Sequence, residues 1–116
     1  MSVHLPGVQL PAGAMVDIHV HVSAPVNITA YVARQKVNGF VILEISDHMR
    51  GEQPELIVGD RLCWSVPVVL TSPTRGVVGK VGEIRVDATT GELLMEQDTV
   101  QRMRDDADRL AERSSL

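Results

Sequence analysis

The chain has 116 residues, 44% hydrophobic and 22% charged, which fits one globular domain with its own core. Its net charge is −4, and its arginines and lysines are scattered, which argues against a nucleic-acid-binding surface. Cys63 is the single cysteine, so neither an intramolecular disulfide nor a cysteine-based metal cluster is expected. No stretch reaches the ~20 apolar residues that span a bilayer, and no secretory signal is recognisable. We therefore expect a cytoplasmic protein without membrane contact.

The N-terminal residues predict an irregular segment followed by a strand. Residues 1–14 are rich in proline and glycine and show little periodicity. Met15–Ser23 alternates apolar and polar residues, which is typical of a strand with one apolar and one polar face. We expect residues 15–116 to form a single α+β domain.

A long helix is predicted next. From Ile28 onward apolar residues recur every three to four positions, which indicates a helix from Thr29 to about Met49. Asn27 or Thr29 can cap its start. Gly39 lies in its interior, at a cost of about 1 kcal/mol relative to alanine.

The next part of the chain predicts an antiparallel sheet of four or five strands. The predicted strands are Glu55–Val58, Arg61–Leu70, Val77–Val86 and Glu92–Leu94, with Gly59-Asp60 as a two-residue turn between the first two. One face of the second strand is uniformly apolar, and we expect the long helix to cover it; its residues are Leu62, Trp64, Val66, Val68 and Leu70.

Proline and glycine mark irregular points in this sheet. Pro67 has no N–H for a ladder hydrogen bond, so it implies a sheet edge or a bulge. Gly76, Gly79 and Gly82 recur at every third residue, a spacing that matches neither phosphate-binding nor dinucleotide-binding loops. Bulges explain them better. Asp87–Gly91 suits a tight turn, because Asp can bond its own backbone and Gly tolerates positive φ.

The C-terminal residues predict a second helix, Asp98–Arg113, with an apolar stripe that includes Met103, Ala107 and Leu110. This helix either packs beside the first or mediates self-association. Residues 40–43 are apolar on every side of the predicted helix. We therefore expect a homo-oligomer, and a homodimer first.

Two histidines form the one metal-binding candidate. His19 and His21 share a face of the predicted strand Met15–Ser23, an arrangement that can bind a divalent metal. The surrounding residues resemble the first metal-ligand strand of the amidohydrolase superfamily, whose (β/α)₈ barrel needs a much longer chain. The alternative is that both histidines simply lie on the polar face of the strand. His4, Asp17, His48 or a second chain could complete a metal site.

Other polar residues do not predict catalysis. Glu83 and Asp87 share one strand face, but solvent-facing acids are the commoner explanation for such a pair. His48 follows Asp47 at the end of the predicted helix, where the helix dipole favours a cation. No catalytic or cofactor-binding residue is predicted. We expect no cofactor; the alternative is a divalent metal bound by His19 and His21.

Two motifs resemble known proteins. Val86-Asp87-Ala88-Thr89-Thr90-Gly91-Glu92, after a helix and antiparallel strands, resembles the closing strands of PepSY-type modules. That resemblance implies a helix packed on an antiparallel sheet and a non-catalytic binding or inhibitory role. The runs Trp64–Leu70 and Gly76–Glu83 are similar to small uncharacterised bacterial proteins.

The function expected from the sequence is a non-enzymatic binding or interaction module, for example an antitoxin-like subunit that holds a protein partner. The alternative is a metal-binding protein or a hydrolase-type metal site built on His19 and His21. A third hypothesis is ligand capture in a cleft between sheet and helix.

Overall fold

A computed structural model describes residues 23–113, and these form an α+β fold. An antiparallel sheet of five strands is covered by one long helix and by a C-terminal helix, as predicted. The predicted irregular segment 1–14, and all but the last residue of the predicted strand Met15–Ser23, lie outside the described residues.

The described elements follow one another in a simple order. They are α1 (Ala30–Glu44), β1 (Met49–Gly51), β2 (Glu55–Val58), β3 (Leu62–Ser72), β4 (Gly76–Asp87), β5 (Leu93–Leu94) and α2 (Thr99–Arg113). The long strand β3 pairs with β4 on one side, and with β1 and β2 in succession on the other. The short β5 pairs with the end of β4. In the part of the chain that the structure describes, no helix is long and apolar enough to cross a membrane.

Helix α1 begins as predicted and ends early. The hydroxyl of Thr29 accepts the N–H of Val32 at 3.2 Å, which caps the first turn. The predicted end at Met49 is wrong, because the helix stops at Glu44. Ile45 leaves helical geometry with φ −121° and ψ −69°, and Met49 pairs with Leu70 as the first residue of β1.

Both helices pack on one face of the sheet, and the core lies between them and the strands. The predicted apolar face of β3 is confirmed as this face: Val66 and Val68 are completely buried, against a helix side that contains the equally buried Val37 and Val41. The indole N–H of Trp64 donates to the carbonyl of Ile28 at 2.7 Å, which fastens the start of α1 to the sheet. Burying this apolar surface is the main stabilising contribution.

Helix α2 lies close to β4 because glycine leaves room there. A Cβ atom on Gly82 would lie 2.9 Å from Cε of Met103, and one on Gly79 would lie 3.0 Å from the methyl groups of Leu110. The pairing of β3 with β4 skips one residue of β4 beside each of these two glycines, so both mark bulges, as predicted.

Pro67 lies where the sheet needs no N–H. Its carbonyl accepts the N–H of Glu52 at 2.8 Å, so its backbone polar groups point toward the β1 and β2 side. On that side, β1 pairs as far as Val68 and β2 begins its pairing at Ser65. Pro67 therefore faces the gap between two edge strands, and a bulge follows directly at Val68/Val69.

Two of the four connections between strands differ in how well the sequence predicts them. Val58 pairs with Leu62, so three residues, Gly59–Arg61, connect β2 to β3, and the predicted two-residue turn is wrong.

The predicted closing turn is confirmed. The Oδ1 atom of Asp87 accepts the N–H of Thr89 at 2.8 Å and the N–H of Thr90 at 2.9 Å. Gly91 ends this turn with φ +80°.

Side chains of α1 bind the outer edge of β1. The Oδ1 atom of Asn38 accepts the N–H of Gly51 at 2.6 Å, and Nε of Arg34 donates to the carbonyl of Gly51 at 2.9 Å. Both backbone groups of this residue are therefore paired, although β1 is an edge strand. This clamp, defined as Asn38 and Arg34 on Gly51, fixes β1 against α1.

Candidate binding site

A cleft of ≈ 800 Å³ opens where α1 ends, at the tip of the β3–β4 hairpin and beside α2. We call it the binding cleft. Its apolar lining consists of Ile45, Met49, Leu70, Pro73, Ala107 and Ala111, and its polar lining of Ser46, His48, Thr71, Ser72, Thr74, Arg75, Arg104 and Asp108. Its volume lies in the usual range for small-ligand sites.

The turn after α1 builds one wall of the binding cleft. The hydroxyl of Ser46 accepts the N–H of His48 at 3.0 Å, which makes a local turn that competes with continuation of the helix. The carbonyl of His48 then accepts both the N–H and the hydroxyl of Thr71, at 2.7 and 2.9 Å. These bonds hold the turn to the end of β3.

The floor of the binding cleft is rigid and apolar. Met49, Leu70 and Ala107 are nearly inaccessible to solvent and belong to the same core cluster, although each comes from a different element. Because a packed core does not collapse, a hollow lined by it keeps its shape. An apolar group that enters here replaces water against a preformed surface.

The rim carries more positive than negative charge. The lining includes two arginines, Arg75 and Arg104, but only one acidic residue, Asp108; the exposed His48 also lies there. The guanidinium of Arg104 also donates to the carbonyl of Glu44 at 3.0 Å, which satisfies one of the last carbonyls of α1 and joins the two helices. The rim therefore favours an anionic group, whereas the chain as a whole has net charge −4.

Two further hollows are less suited to a ligand. One of ≈ 540 Å³ lies between α2 and the end of the sheet, and there Arg102 pairs with Glu96 at 3.4 Å. The other, of ≈ 370 Å³, lies on the sheet face opposite the helices, beside Cys63, Arg61 and Arg85. Charged side chains line both of them, and both have less apolar surface to bury than the binding cleft.

The predicted metal ligands cannot be placed. His19 and His21, with His4 and Asp17, lie outside the described residues. Within residues 23–113 no group of three or more His, Cys, Asp or Glu side chains could hold a metal ion. The metal site at His19 and His21 therefore stays a prediction.

His48 is not at a helix end. Because α1 stops four residues earlier, this side chain lies in the turn before β1, and its Nε2 is 3.6 Å from a carboxylate oxygen of Asp47. The predicted interaction with the helix dipole is wrong for this reason. The exposed ring instead contributes to the rim of the binding cleft.

The two carboxylates of β4 have different surroundings. Glu83 is exposed and accepts the hydroxyl of Ser65 at 3.0 Å. Asp87 is only 6% exposed, so the prediction of a solvent-facing acid is wrong for it. The N–H groups of Thr90 and Thr89 hold the pKa of Asp87 below its usual value, and Arg61 lowers it further. Asp87 therefore stabilises a turn.

Cys63 behaves as the small apolar residue that its strand position indicates. The side chain is buried, and burial, followed by the charge of Asp87, raises the pKa of the thiol. Arg61 and Arg85 offset this only in part. A protonated, buried thiol is a poor nucleophile.

Comparison of the chain with models of protein families, with curated proteins and with solved structures gives no match. The resemblance to PepSY-type modules therefore rests on the residues 86–92 and on the order of the elements alone. The binding cleft was not anticipated from the sequence as a set of residues, since Arg75 and Arg104 are isolated charges in a turn and on a helix. The one hint of the binding cleft in the sequence is Arg75, a basic residue directly before Gly76 in the β3–β4 hairpin.

Proposed function

We propose that this protein is a non-enzymatic binding module that holds a segment of a protein partner in the binding cleft. The observation that carries the proposal is the combination of a rigid apolar floor with a mostly cationic rim. An apolar side chain fits the floor, and a neighbouring carboxylate fits the rim near Arg75 and Arg104. The expected ligand is therefore a peptide segment with an apolar anchor next to an acidic residue.

Short peptides of defined composition test this proposal. Acetylated, amidated tetrapeptides containing Leu-Asp, Leu-Asn or Ser-Asp are titrated into ¹⁵N-labelled protein, and backbone amide shifts are followed by NMR. We expect the Leu-Asp peptide to shift the amides of Ile45, Met49 and Ala107 most strongly, with a dissociation constant on the order of 1 mM for so small a ligand. Peptides that lack the apolar anchor or the charge should bind more weakly.

Two variants separate the floor from the rim. Ala111→Trp fills the half-buried wall of the binding cleft and should abolish the shifts. Arg75→Glu should weaken the Leu-Asp peptide by roughly two- to fivefold, the effect of an exposed charge pair worth about 0.5–1 kcal/mol. Arg113→Glu makes the same charge change on α2 outside the cleft and serves as the matched control.

The outcome that refutes the proposal is equally concrete. If no peptide shifts these amides at millimolar concentration, or if Ala111→Trp leaves the shifts unchanged, the binding cleft does not hold such a segment. If Arg113→Glu weakens binding as much as Arg75→Glu, the attraction comes from overall charge and not from the rim.

A further inference from the structure

The N-terminal part of the chain contains the kind of segment that the binding cleft is expected to hold. Residues 1–22 lie outside the described residues; their sequence has one acidic residue, Asp17, and no lysine or arginine. Val16 and Ile18 flank that acid, so a carboxylate has an apolar neighbour on each side. We call residues 15–18 the acidic segment. Its pattern matches the ligand expected for the cleft, so what is inferred from it rests on the proposed function.

The alternation within the acidic segment suits the two parts of the binding cleft. In an extended segment, successive side chains point to opposite sides. When Val16 and Ile18 are directed toward the apolar floor, Asp17 is directed away from the floor and toward the charged rim. The two apolar side chains are then about 6–7 Å apart, and a cleft of ≈ 800 Å³ has room for both.

The place where the described chain begins favours the cleft of a second copy. The hydroxyl of Thr89 donates to the carbonyl of Pro25 at 2.7 Å, which ties the chain to the far end of β4. Arg75 lies beyond the other end, and the paired stretch between them, Cys63–Ser72 of β3, spans about 30 Å. Eight residues from Asp17 to Pro25 reach at most about 29 Å. A path around the domain within one chain leaves no residues to enter the cleft.

We propose that the acidic segment of one copy occupies the binding cleft of a second copy, where Asp17 of the partner subunit pairs with Arg75. Two copies that exchange this segment form a closed dimer in which both clefts are filled. Charge complementarity supports this occupant, because the segment brings a carboxylate and no cation to a rim with more positive than negative charge.

Reciprocal exchange sets the expected affinity of the dimer. One contact has the strength of a short peptide in the cleft, with a dissociation constant on the order of 1 mM. After one segment has bound, the second binds within the same complex at an effective concentration of several millimolar. We therefore expect a reversible dimer with a dissociation constant on the order of 0.1 mM.

Exchanging the charges of segment and rim tests the proposal in the full chain. Sedimentation equilibrium is measured from about 10 μM to about 1 mM for the wild type, for Asp17→Lys, for Arg75→Glu and for an equimolar mixture of the two variants. Each variant alone brings like charges together at both contacts and should weaken the dimer at least about tenfold. The mixture should regain the wild-type dissociation constant within about threefold, because opposite charges then meet at both contacts.

The mixture separates exchange between copies from contact within one chain, since only exchange can restore the dimer. Arg113→Glu, the charge control on α2 outside the cleft, should dimerise like the wild type. The inference is overturned by a wild-type chain that is monomeric at all concentrations, by a mixture that stays as weak as its components, or by equal weakening in Arg113→Glu.

The peptide titration distinguishes this failure from failure of the proposed function. If the Leu-Asp peptide shifts the amides of Ile45, Met49 and Ala107 while the wild type stays monomeric, the cleft holds a different partner and only the exchange of segments is refuted. If the peptide shifts none of them and the wild type is monomeric, both proposals fail.

Discussion

Replacing Asn38 by alanine should destabilise the protein by about 2 kcal/mol. The substitution removes the oxygen that accepts the N–H of Gly51 at 2.6 Å. That N–H belongs to a buried residue of an edge strand and points away from β3, so no strand can replace the lost partner. Leaving a buried donor unpaired costs about 1–3 kcal/mol, and we take the middle of that range.

The assay is urea denaturation at pH 7, followed by circular dichroism, with thermal unfolding as a second measurement. For 116 residues, an unfolding entropy of about 2.1 cal/mol/K per residue converts a loss of about 2 kcal/mol into a decrease in the unfolding temperature of roughly 8 °C. Asn38→Asp retains an oxygen at the same position and should lose less than about 1 kcal/mol. Gln35→Ala on the same helix removes only an exposed bond to Tyr31 and should change stability by no more than about 0.5 kcal/mol.

Two results would contradict this reasoning. Equal destabilisation by Asn38→Ala and Asn38→Asp would mean that the accepting oxygen is not what matters. An alanine variant as stable as the wild type would mean that water satisfies the Gly51 amide and that the clamp does not hold β1.

Four further predictions concern other parts of the fold. Gly82→Val should cost about 1–3 kcal/mol in urea denaturation, because the added side chain must displace Met103, whereas Gly39→Ala should gain about 0.5–1 kcal/mol in dilute protein. The pKa of Asp87 is held below its usual value of 3.8, so the ionised carboxylate stabilises the fold fully above that pH and loses this contribution as the pH falls further. In Asp87→Asn, the free energy of unfolding should therefore decrease less between about pH 6 and pH 2 than in the wild type. At about pH 8, Cys63 should react with a thiol reagent at least about tenfold more slowly in the native protein than in urea, because burial raises the pKa of its thiol.

Periodicity alone predicts most of the helices and strands. It fails where pairing with a strand far along the chain decides whether a residue is helical or extended. Alternation along β3 and the three-to-four spacing of α1 and α2 are local patterns that tertiary packing leaves unchanged. Met49 continues the helical spacing of α1, yet its pairing with Leu70 makes it part of β1. Three residues of strand are too short to show alternation, so the sequence cannot reveal β1.

The binding cleft is harder to predict than the fold for a related reason. Leu70 and Ala107 were expected on apolar faces, but their convergence with Met49 depends on how α2 lies against the sheet. That position depends on Gly79 and Gly82, whose role beneath α2 appears only in three dimensions. Asp87 combines both situations. Its turn is formed by local hydrogen bonds and is predicted correctly, whereas the burial of its side chain depends on the rest of the fold and is not predicted.

The hydrogen bond from Trp64 to the carbonyl of Ile28 gives the protein a built-in optical reporter. The chain has a single tryptophan, and its indole lies where the first turn of α1 meets the sheet. Its emission wavelength and quenching should respond whenever the helix lifts from the strands. Opening of this layer can therefore be followed in unlabelled protein, with no competing fluorophore of the same kind.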